Sequence, residues 1–457
     1  MSWIEKTKAG ERFKTKQKEM KQIETDKKQG DSMVSLLVIA DDFTGALDTG
    51  VKFASGGARV RVVTDYEYAF DQVSNQVQVL VMDAETRHLS SEGAYERVFH
   101  IVKQARTAGI PFIYKKTDSA LRGNIGSELS AVLAATEGQV LHFLPAFPKM
   151  GRTTVSGVHY IDGVPVHDSV FGKDPFEPVK CSDIQEVIAR QSDTRTCVIS
   201  DGQVLKNPKE PTIAVYDART DEELQTIAAA LKQSGGLEIL AGCAGMAETL
   251  PQLLGLEGTK LPIPEFEPGL LVACGSVNPI TKGQLDYAAQ HGFERIRLTP
   301  EQKLEPGYFE TEGGKALVEA LVSRVRNTAF VILDTNDAPA GPDTLVYAES
   351  HGIALDDLRV RITAALGYLV KRLVEAGVRH TMLITGGDSL LGFMNQIQVY
   401  EIMPVCEMMP GTVLSRFEIG GRTYEILSKS GGFGGEDLMV KLKEQIMGNR
   451  RRERDAG

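Results

Sequence analysis

The chain has 457 residues, 42% of them hydrophobic and 25% charged, with a formal net charge of −10. This is the composition of a soluble globular protein of about two to four domains, and the acid excess argues against nucleic acid as a partner. No apolar run reaches the roughly 18–20 residues of a membrane span, and no secretory h-region opens the chain. The five cysteines are scattered without a C-x-x-C pair, and the eight histidines show no H-E-x-x-H or H-x-H spacing. We read reduced thiols, a cytoplasmic protein and no built-in zinc site.

Residues 1–32 are rich in Lys, Glu and Gln with few apolar anchors. They read as a disordered or frayed leader, dispensable if folding begins near Met33. The apolar run Leu36–Ala40 reads as a buried strand. It stops at Asp41-Asp42 and passes through Thr44-Gly45 into a helix-like run, 46–54. Open α/β sheets build binding sites at the carboxyl ends of their strands. The bland alternative is a turn in which Asp42 caps the helix.

Strand patterns recur at 60–64, 77–83, 112–116, 140–146, 197–200, 213–217 and 237–241. Helix patterns lie at 93–108, 125–135 and 222–232, an α/β alternation. Residues 147–180 are polar, rich in Gly, Pro, His and Asp, and read as a long irregular loop of functional type. Proline and glutamate mark 256–268 as a linker. After it, strands are expected at 270–274, 329–334 and 381–385, helices at 281–291, 313–326 and 356–377, an antiparallel pair within 413–429, and a last helix at 436–447. The expected fold is therefore α/β, with two domains of mainly parallel sheet, 33–255 and 269–447, a cleft between them, and a loose tail, 448–457. No short-period repeat and no motif shared by the halves is visible.

Lys115-Lys116-Thr117-Asp118 to Arg122-Gly123-Asn124 follows a strand and gathers cations, an acid and short donors. Arginine grips a carboxylate bidentately and lysine acts as a point charge; the competing reading is a solvated turn. A second cationic loop carries Lys149 and Arg152 and reads as a flap. His159 and His167 read as structural. Three Gly-rich turns stand before helices: Gly275-Ser276-Val277-Asn278, Thr385-Gly386-Gly387-Asp388-Ser389 and Ser430-Gly431-Gly432-Phe433-Gly434-Gly435. Such turns leave backbone N–H groups at a positive dipole end, a phosphate cradle without a fixed side-chain code. A P-loop and a G-x-G-x-x-G fingerprint are both absent. Asp388 is placed to carry Mg²⁺ through water beside a triphosphate. A small polar anion on one side and phosphates on the other point to phosphoryl transfer. A phosphatase of the D-x-D type is excluded because the two acids are adjacent. A non-catalytic sugar-acid sensor is the remaining alternative from another class.

These motifs resemble the four-carbon acid sugar kinases, the family of 3-oxo-tetronate, D-threonate and D-erythronate kinases. The matching pieces are IADDFTGALD (39–48), KKTDSALRGNIGSEL (115–129), FPKMGRTT (147–154), HYIDGVPV (159–166), FGKDPFEPV (171–179), GSVNP (275–279), TGGDS (385–389) and SGGFGGED (430–437). The resemblance implies an N-terminal sugar-acid-binding domain, a C-terminal nucleotide-binding domain, and ATP-dependent phosphorylation of the terminal hydroxyl of a four-carbon acid. It implies ATP binding at Ser276, Gly386, Gly387, Asp388, Ser389 and Gly431, with Mg²⁺ near Asp388. It places Asp41, Asp42, Lys116, Asp118 and Arg122 on the substrate side. Asp42 or Asp118 is expected at the reacting hydroxyl, Arg122 and Lys116 at the carboxylate, and Asp41 among the binding groups. Ala120 stands where the family often has Thr, which removes one hydroxyl contact. The phrase Asp83 to His88 is closer to threonate and erythronate kinases than to 3-oxo-tetronate kinases, so one of the first two acids is expected, with a 3-oxo-tetronate 4-kinase as the alternative within the family. The partners are the acid and ATP, with no nucleic acid and no membrane; the oligomeric state is open, a homodimer included.

Overall fold

A computed structural model describes residues 34–74, 76–174 and 178–454. The expected leader, residues 1–32, lies outside them. The first half supplies β1 (Leu36–Ala40), β2 (Val60–Val63), β3 (Val79–Asp83), β4 (Phe112–Lys116) and β5 (Val140–Leu144). A hairpin region follows, β6 (Arg152–Val155), β7 (Val158–Ile161) and β8 (Val164–Pro165), then β9 (Arg195–Ile199), β10 (Thr212–Tyr216) and β11 (Ile239–Gly242). The second half supplies β12 (Leu270–Cys274), β13 (Glu294–Arg297), β14 (Phe330–Asp334), β15 (Thr381–Thr385), β16 (Glu401–Met409), β17 (Thr412–Ile419) and β18 (Arg422–Lys429). Six helices bear on the site: α1 (Phe43–Ser55), α2 (Ser91–Thr107), α3 (Ile125–Thr136), α4 (Pro279–Gln290), α5 (Leu355–Glu375) and α6 (Gly387–Gln396).

The strands form one sheet of 15, in the order β13-β14-β12-β15-β18-β17-β16-β2-β3-β1-β4-β11-β5-β10-β9. Pairing is parallel from β2 to β9 and from β13 to β18. The antiparallel strands β16–β18 lie between, and β16 meets β2 antiparallel through Glu401↔Val63 and Ile402↔Val62. The two α/β halves thus share a continuous sheet. In β1, Leu36, Val38 and Ala40 belong to one apolar layer and Leu37 and Ile39 to the other. Alternate residues face opposite sides of a strand, and helices cover both, so the whole run is apolar.

Each half repeats one arrangement. β1 lies between β3 and β4, and β12 lies between β14 and β15. The strand order reverses beside the first strand of each half, and crevices open there at the carboxyl ends. Asp41-Asp42 and Lys116 flank one crevice; Gly275-Ser276 and Gly386-Gly387 flank the other.

Three expectations are corrected. Residues 147–180 are not one irregular loop, because β6, β7 and β8 form a small antiparallel sheet there. Its turns are Ser156-Gly157 (φ 51 and 77) and Asp162-Gly163 (φ 50 and 80), two-residue turns with the positive φ pair that hairpins favour. β16 was unforeseen; it carries Pro404, and its register shifts between Pro404 and Cys406, a bulge that accommodates a residue otherwise excluded from a strand. The last helix, Leu438–Arg454, runs past the expected end at Met447 and through most of the expected loose tail, since Arg and Glu prolong a helix. All five cysteines are free thiols. Among the described residues no helix is long and apolar enough to cross a membrane.

Candidate active site

Parallel pairing of β3, β1 and β4 brings three acids and two arginines together just beyond the strand ends. Arg87, after β3, donates from Nε and Nη2 to Asp41 Oδ2 (2.8 and 2.7 Å) and from Nη1 to Asp42 Oδ2 (2.7 Å). Its Nη2 also lies 3.7 Å from Asp118 Oδ1. Asp42 is the helix cap as well: its Oδ1 accepts from Gly45 N at 2.8 Å. Asp42 thus caps the helix with one oxygen and joins the acid–arginine cluster with the other. Asp118 accepts both arms of Arg122 (2.9 and 2.9 Å) and the N–H groups of Ala120 and Arg122. Against the burial that would raise it, Arg122 and Arg87 hold the Asp118 carboxyl far below the usual range. Burial of Asp41 is likewise outweighed by Arg87, Lys115 and Lys116, so it too titrates low.

Accessibility separates the acids. The Asp41 side chain is 1% exposed, Asp118 10% and Asp42 24%. Asp42 is the most exposed of the three. Arg122, expected to face the substrate's carboxylate, has its fork on Asp118, while its Nη1 approaches Asp174 at 3.5 Å and its guanidinium lies over Phe171. It ties the acid cluster to the segment beyond the small sheet. His159 is structural as expected: buried, it hydrogen-bonds Thr154 Oγ1 at 3.1 Å and the Ser119 carbonyl at 3.0 Å, and burial depresses its pKa to about 4. Behind the strands, buried Lys115 pairs with Glu128 of α3 at 3.0 Å. Lys116, its neighbour, has no such partner among the described residues.

The glycine turns of the second half converge on the first half. Gly386 (φ +94) precedes α6, which begins with no side-chain cap. A Cβ on Gly387 would lie 2.3 Å from Thr44 Oγ1, one on Gly275 2.1 Å from Ser389 Oγ, and one on Gly431 2.9 Å from Ser276 Oγ. Glycine is what lets these backbones approach. Lys429 shapes the last turn, donating to the carbonyls of Ser430 (2.8 Å) and Gly431 (3.3 Å); Gln284 of α4 donates to those of Phe433, Gly434 and Gly435. Burial lowers the Lys429 ammonium to about 8. Ser430 Oγ donates to Asp48 of α1 at 2.8 Å, across the two halves. Between them is a cavity of about 10 Å³ lined by Thr44, Asp48, Gly386, Gly387, Lys429 and Ser430 among others.

These turns fit nucleotide phosphates. The amides of Gly387, Asp388, Ser389, Gly431 and Gly432 have no acceptor in the described protein, and uncapped helix amides are an anion seat. Asp388 fits Mg²⁺ less directly. It is paired with Arg359 of α5 at 3.1 Å, and the described residues contain no group of three or more metal-ligating side chains. Mg²⁺ would therefore enter on the phosphates, with Asp388 a nearby carboxylate and Glu85 within its electrostatic reach. Sequence reasoning assigned no role to Arg87, Asp48 or Lys429. Each stands in or beside a quoted motif; Arg87 follows the end of β3 and Lys429 is the last residue of β18.

Comparison with known proteins agrees with this division. Residues 36–250 match the model of a sugar-binding N-terminal domain and residues 271–439 that of a nucleotide-binding C-terminal domain. The chain is 28% identical to a D-threonate kinase of Salmonella typhimurium over 91% of its length and 100% of the relative's. It is 26% identical to a D-erythronate kinase of Heliobacterium modesticaldum (90% and 98%) and 24% identical to a 3-oxo-tetronate kinase of Pseudomonas savastanoi (90% and 97%). Among solved structures, a Salmonella typhimurium LT2 protein superposes with a TM-score of 0.73 and a Haemophilus influenzae DUF1537 protein with 0.65. Each is 19% identical and covers 90% of this chain and 99% of its own, a likeness of fold.

Proposed function

The chain belongs to the four-carbon acid sugar kinase family, and from that premise we propose that it transfers the γ-phosphoryl group of ATP to the terminal hydroxyl of D-threonate or D-erythronate. The observation that carries this reading is the meeting of the two halves: the acid–arginine cluster ends at α1, and the glycine turns of the nucleotide side close on that same helix.

Asp42 is assigned to the reacting hydroxyl, which it orients and whose proton it accepts, with Arg87 fixing its second oxygen. Asp118 is a poor base because Arg122 and Arg87 hold it ionised; its part is to keep Arg122 in place. Arg122 and Arg152 put positive charge on the side of the small sheet, where the acid's carboxylate would lie. Ser276, Gly386, Gly387, Ser389 and Gly431 receive the nucleotide. Phosphoryl transfer asks mainly for positioning and charge neutralisation, which this arrangement supplies.

Incubation with Mg-ATP and a panel of D-threonate, D-erythronate, L-threonate and 3-oxo-tetronate tests the proposal. We expect ADP release with D-threonate or D-erythronate above the other acids. Fastest turnover of 3-oxo-tetronate would move the substrate assignment within the family. Tight binding of an acid with no ADP release from any would overturn the kinase reading in favour of a sensor.

A further inference from the structure

Lys116 ends β4 at the crevice and is 5% exposed. Among the described residues it makes no hydrogen bond and no ion pair, and its Nζ is not sealed from the cleft. An unpaired ammonium in a protein interior is costly. Lys115, one residue earlier, shows the usual remedy in its ion pair with Glu128. Lys116 lacks that remedy although Asp41, Asp48 and Asp118 all lie within its electrostatic reach.

Its surroundings show what it waits for. A Cβ at Gly45 would lie 2.8 Å from Lys116 Nζ, so glycine there admits the ammonium to the first turn of α1. On the other side of that turn, a Cβ at Gly387 would lie 3.0 Å from Thr44 N. The N-termini of α1 and α6 therefore face each other. The amides of Thr44, Gly387, Asp388 and Ser389 have no acceptor in the described protein. Two helix N-termini and one free ammonium, from two halves of the chain, suit a multiply charged anion.

We infer that Lys116 is a catalytic residue that meets the phosphoryl group in transit, rather than a ligand of the substrate's carboxylate. The inference rests on the kinase reading above. In that step the substrate's hydroxyl oxygen bonds to the γ-phosphorus and gives its proton to Asp42. The bond from the γ-phosphorus to the β–γ bridging oxygen breaks, and its electron pair leaves with ADP. Lys116 neutralises the equatorial oxygens throughout. A cavity of about 10 Å³ lies beside the helix ends, lined by Thr44, Gly386 and Gly387 but not by Lys116; it holds little more than one water, so the ends must part to admit the group.

The test compares the wild type with Lys116→Met and Lys116→Arg. Calorimetry with ADP and with a non-hydrolysable ATP analogue reads Lys116 without turnover. Lys116→Met should lose about tenfold or more in affinity for the triphosphate with ADP affinity unchanged, and Lys116→Arg should recover part of it. In turnover, Lys116→Met should lower kcat by about 10²- to 10³-fold with the acid's KM nearly unchanged. The same loss should appear on a neutral four-carbon polyol lacking the carboxylate. Thermal melting should show Lys116→Met folded and no less stable than the wild type. An unchanged preference for triphosphate over ADP overturns the inference. So does a raised KM for the acid with kcat retained and no loss on the polyol, which would put Lys116 on the carboxylate. The kinase reading fails differently, by absence of turnover in the wild type across the acid panel.

Discussion

Arg87 is the counter-charge that lets three carboxylates share one strand-end crevice. It is 10% exposed, touches Asp41 and Asp42 directly and lies 3.7 Å from Asp118. Replacing it by Gln keeps some donors and removes the charge; Lys115, Lys116 and Arg122 still offset part of the buried negative charge, so the change costs about 3 kcal/mol at neutral pH, the low end for a broken buried pair. The pH dependence gives this cause a signature. In the wild type Asp41 and Asp118 titrate below 3.8, so their contribution is complete above that value and is lost as pH falls through the lowered folded values. In Arg87→Gln the folded values rise, and protonation relieves the repulsion. Urea midpoints should therefore show the largest deficit near pH 7 and a smaller one near pH 4.5; an equal deficit at both would reduce Arg87 to a packing role. Asp41 and Asp42 were legible because an apolar strand stops at them. Their partner was not, although Arg87 also follows a strand, because the adjacency of β3, β1 and β4 is set by sheet order. Arg122 shows the converse: its residue type suggested a carboxylate ligand, and the carboxylate it holds is Asp118, four residues earlier.

The glycine turns were legible as strand–glycine–helix patterns, since β12, β15 and α4 follow from apolar runs and their interruptions. Their convergence was not, because it depends on which elements the parallel order sets side by side. The small sheet β6-β7-β8 was masked by polar composition, although Ser-Gly and Asp-Gly are hairpin signals; β16 was masked by Pro404. Gly431 measures how tightly the turns are built. A Cβ there would lie 2.9 Å from Ser276 Oγ and 3.2 Å from Asn278 Cβ, so a branched side chain must push the turn after β18 away from the turn after β12. Gly431→Val should weaken ATP binding about tenfold or more and destabilise the fold by about 1–3 kcal/mol. Nucleotide titration alongside a urea melt checks both, and normal ATP affinity in a folded variant would remove this turn from the phosphate site.

The seam between the halves joins β2 to β16, with α1 packed beside it, where Gly50 lies against Pro404. β2 and β16 share two register pairs, reinforced by Arg61 and Tyr68 on Glu401 and by Lys52 on Glu407. At the site itself the link is Asp48 with Ser430. Burial raises the Asp48 carboxyl to about 6, while the Ser430 hydrogen bond and Lys116 pull it down. With an open-form pKa near the usual 3.8, closing takes up a proton between about pH 4 and pH 6. Closure is then favoured most below that window and weakens as pH rises through about 6. Ser430→Ala removes a hydrogen bond to the charged acid, worth about 1.5–3 kcal/mol, and should shift the protein towards the open arrangement at pH 7. As pH falls to 5 and Asp48 takes its proton, less is lost with the hydroxyl, so the deficit should shrink. Asp48→Asn cannot titrate and should close equally at both values. Small-angle scattering of the wild type and both variants at pH 5 and 7 reads this directly: a larger radius of gyration for Ser430→Ala at pH 7, converging on the wild type at pH 5, is the expected result. Equal radii at both values would show that the Asp48–Ser430 link does not govern the arrangement of the halves.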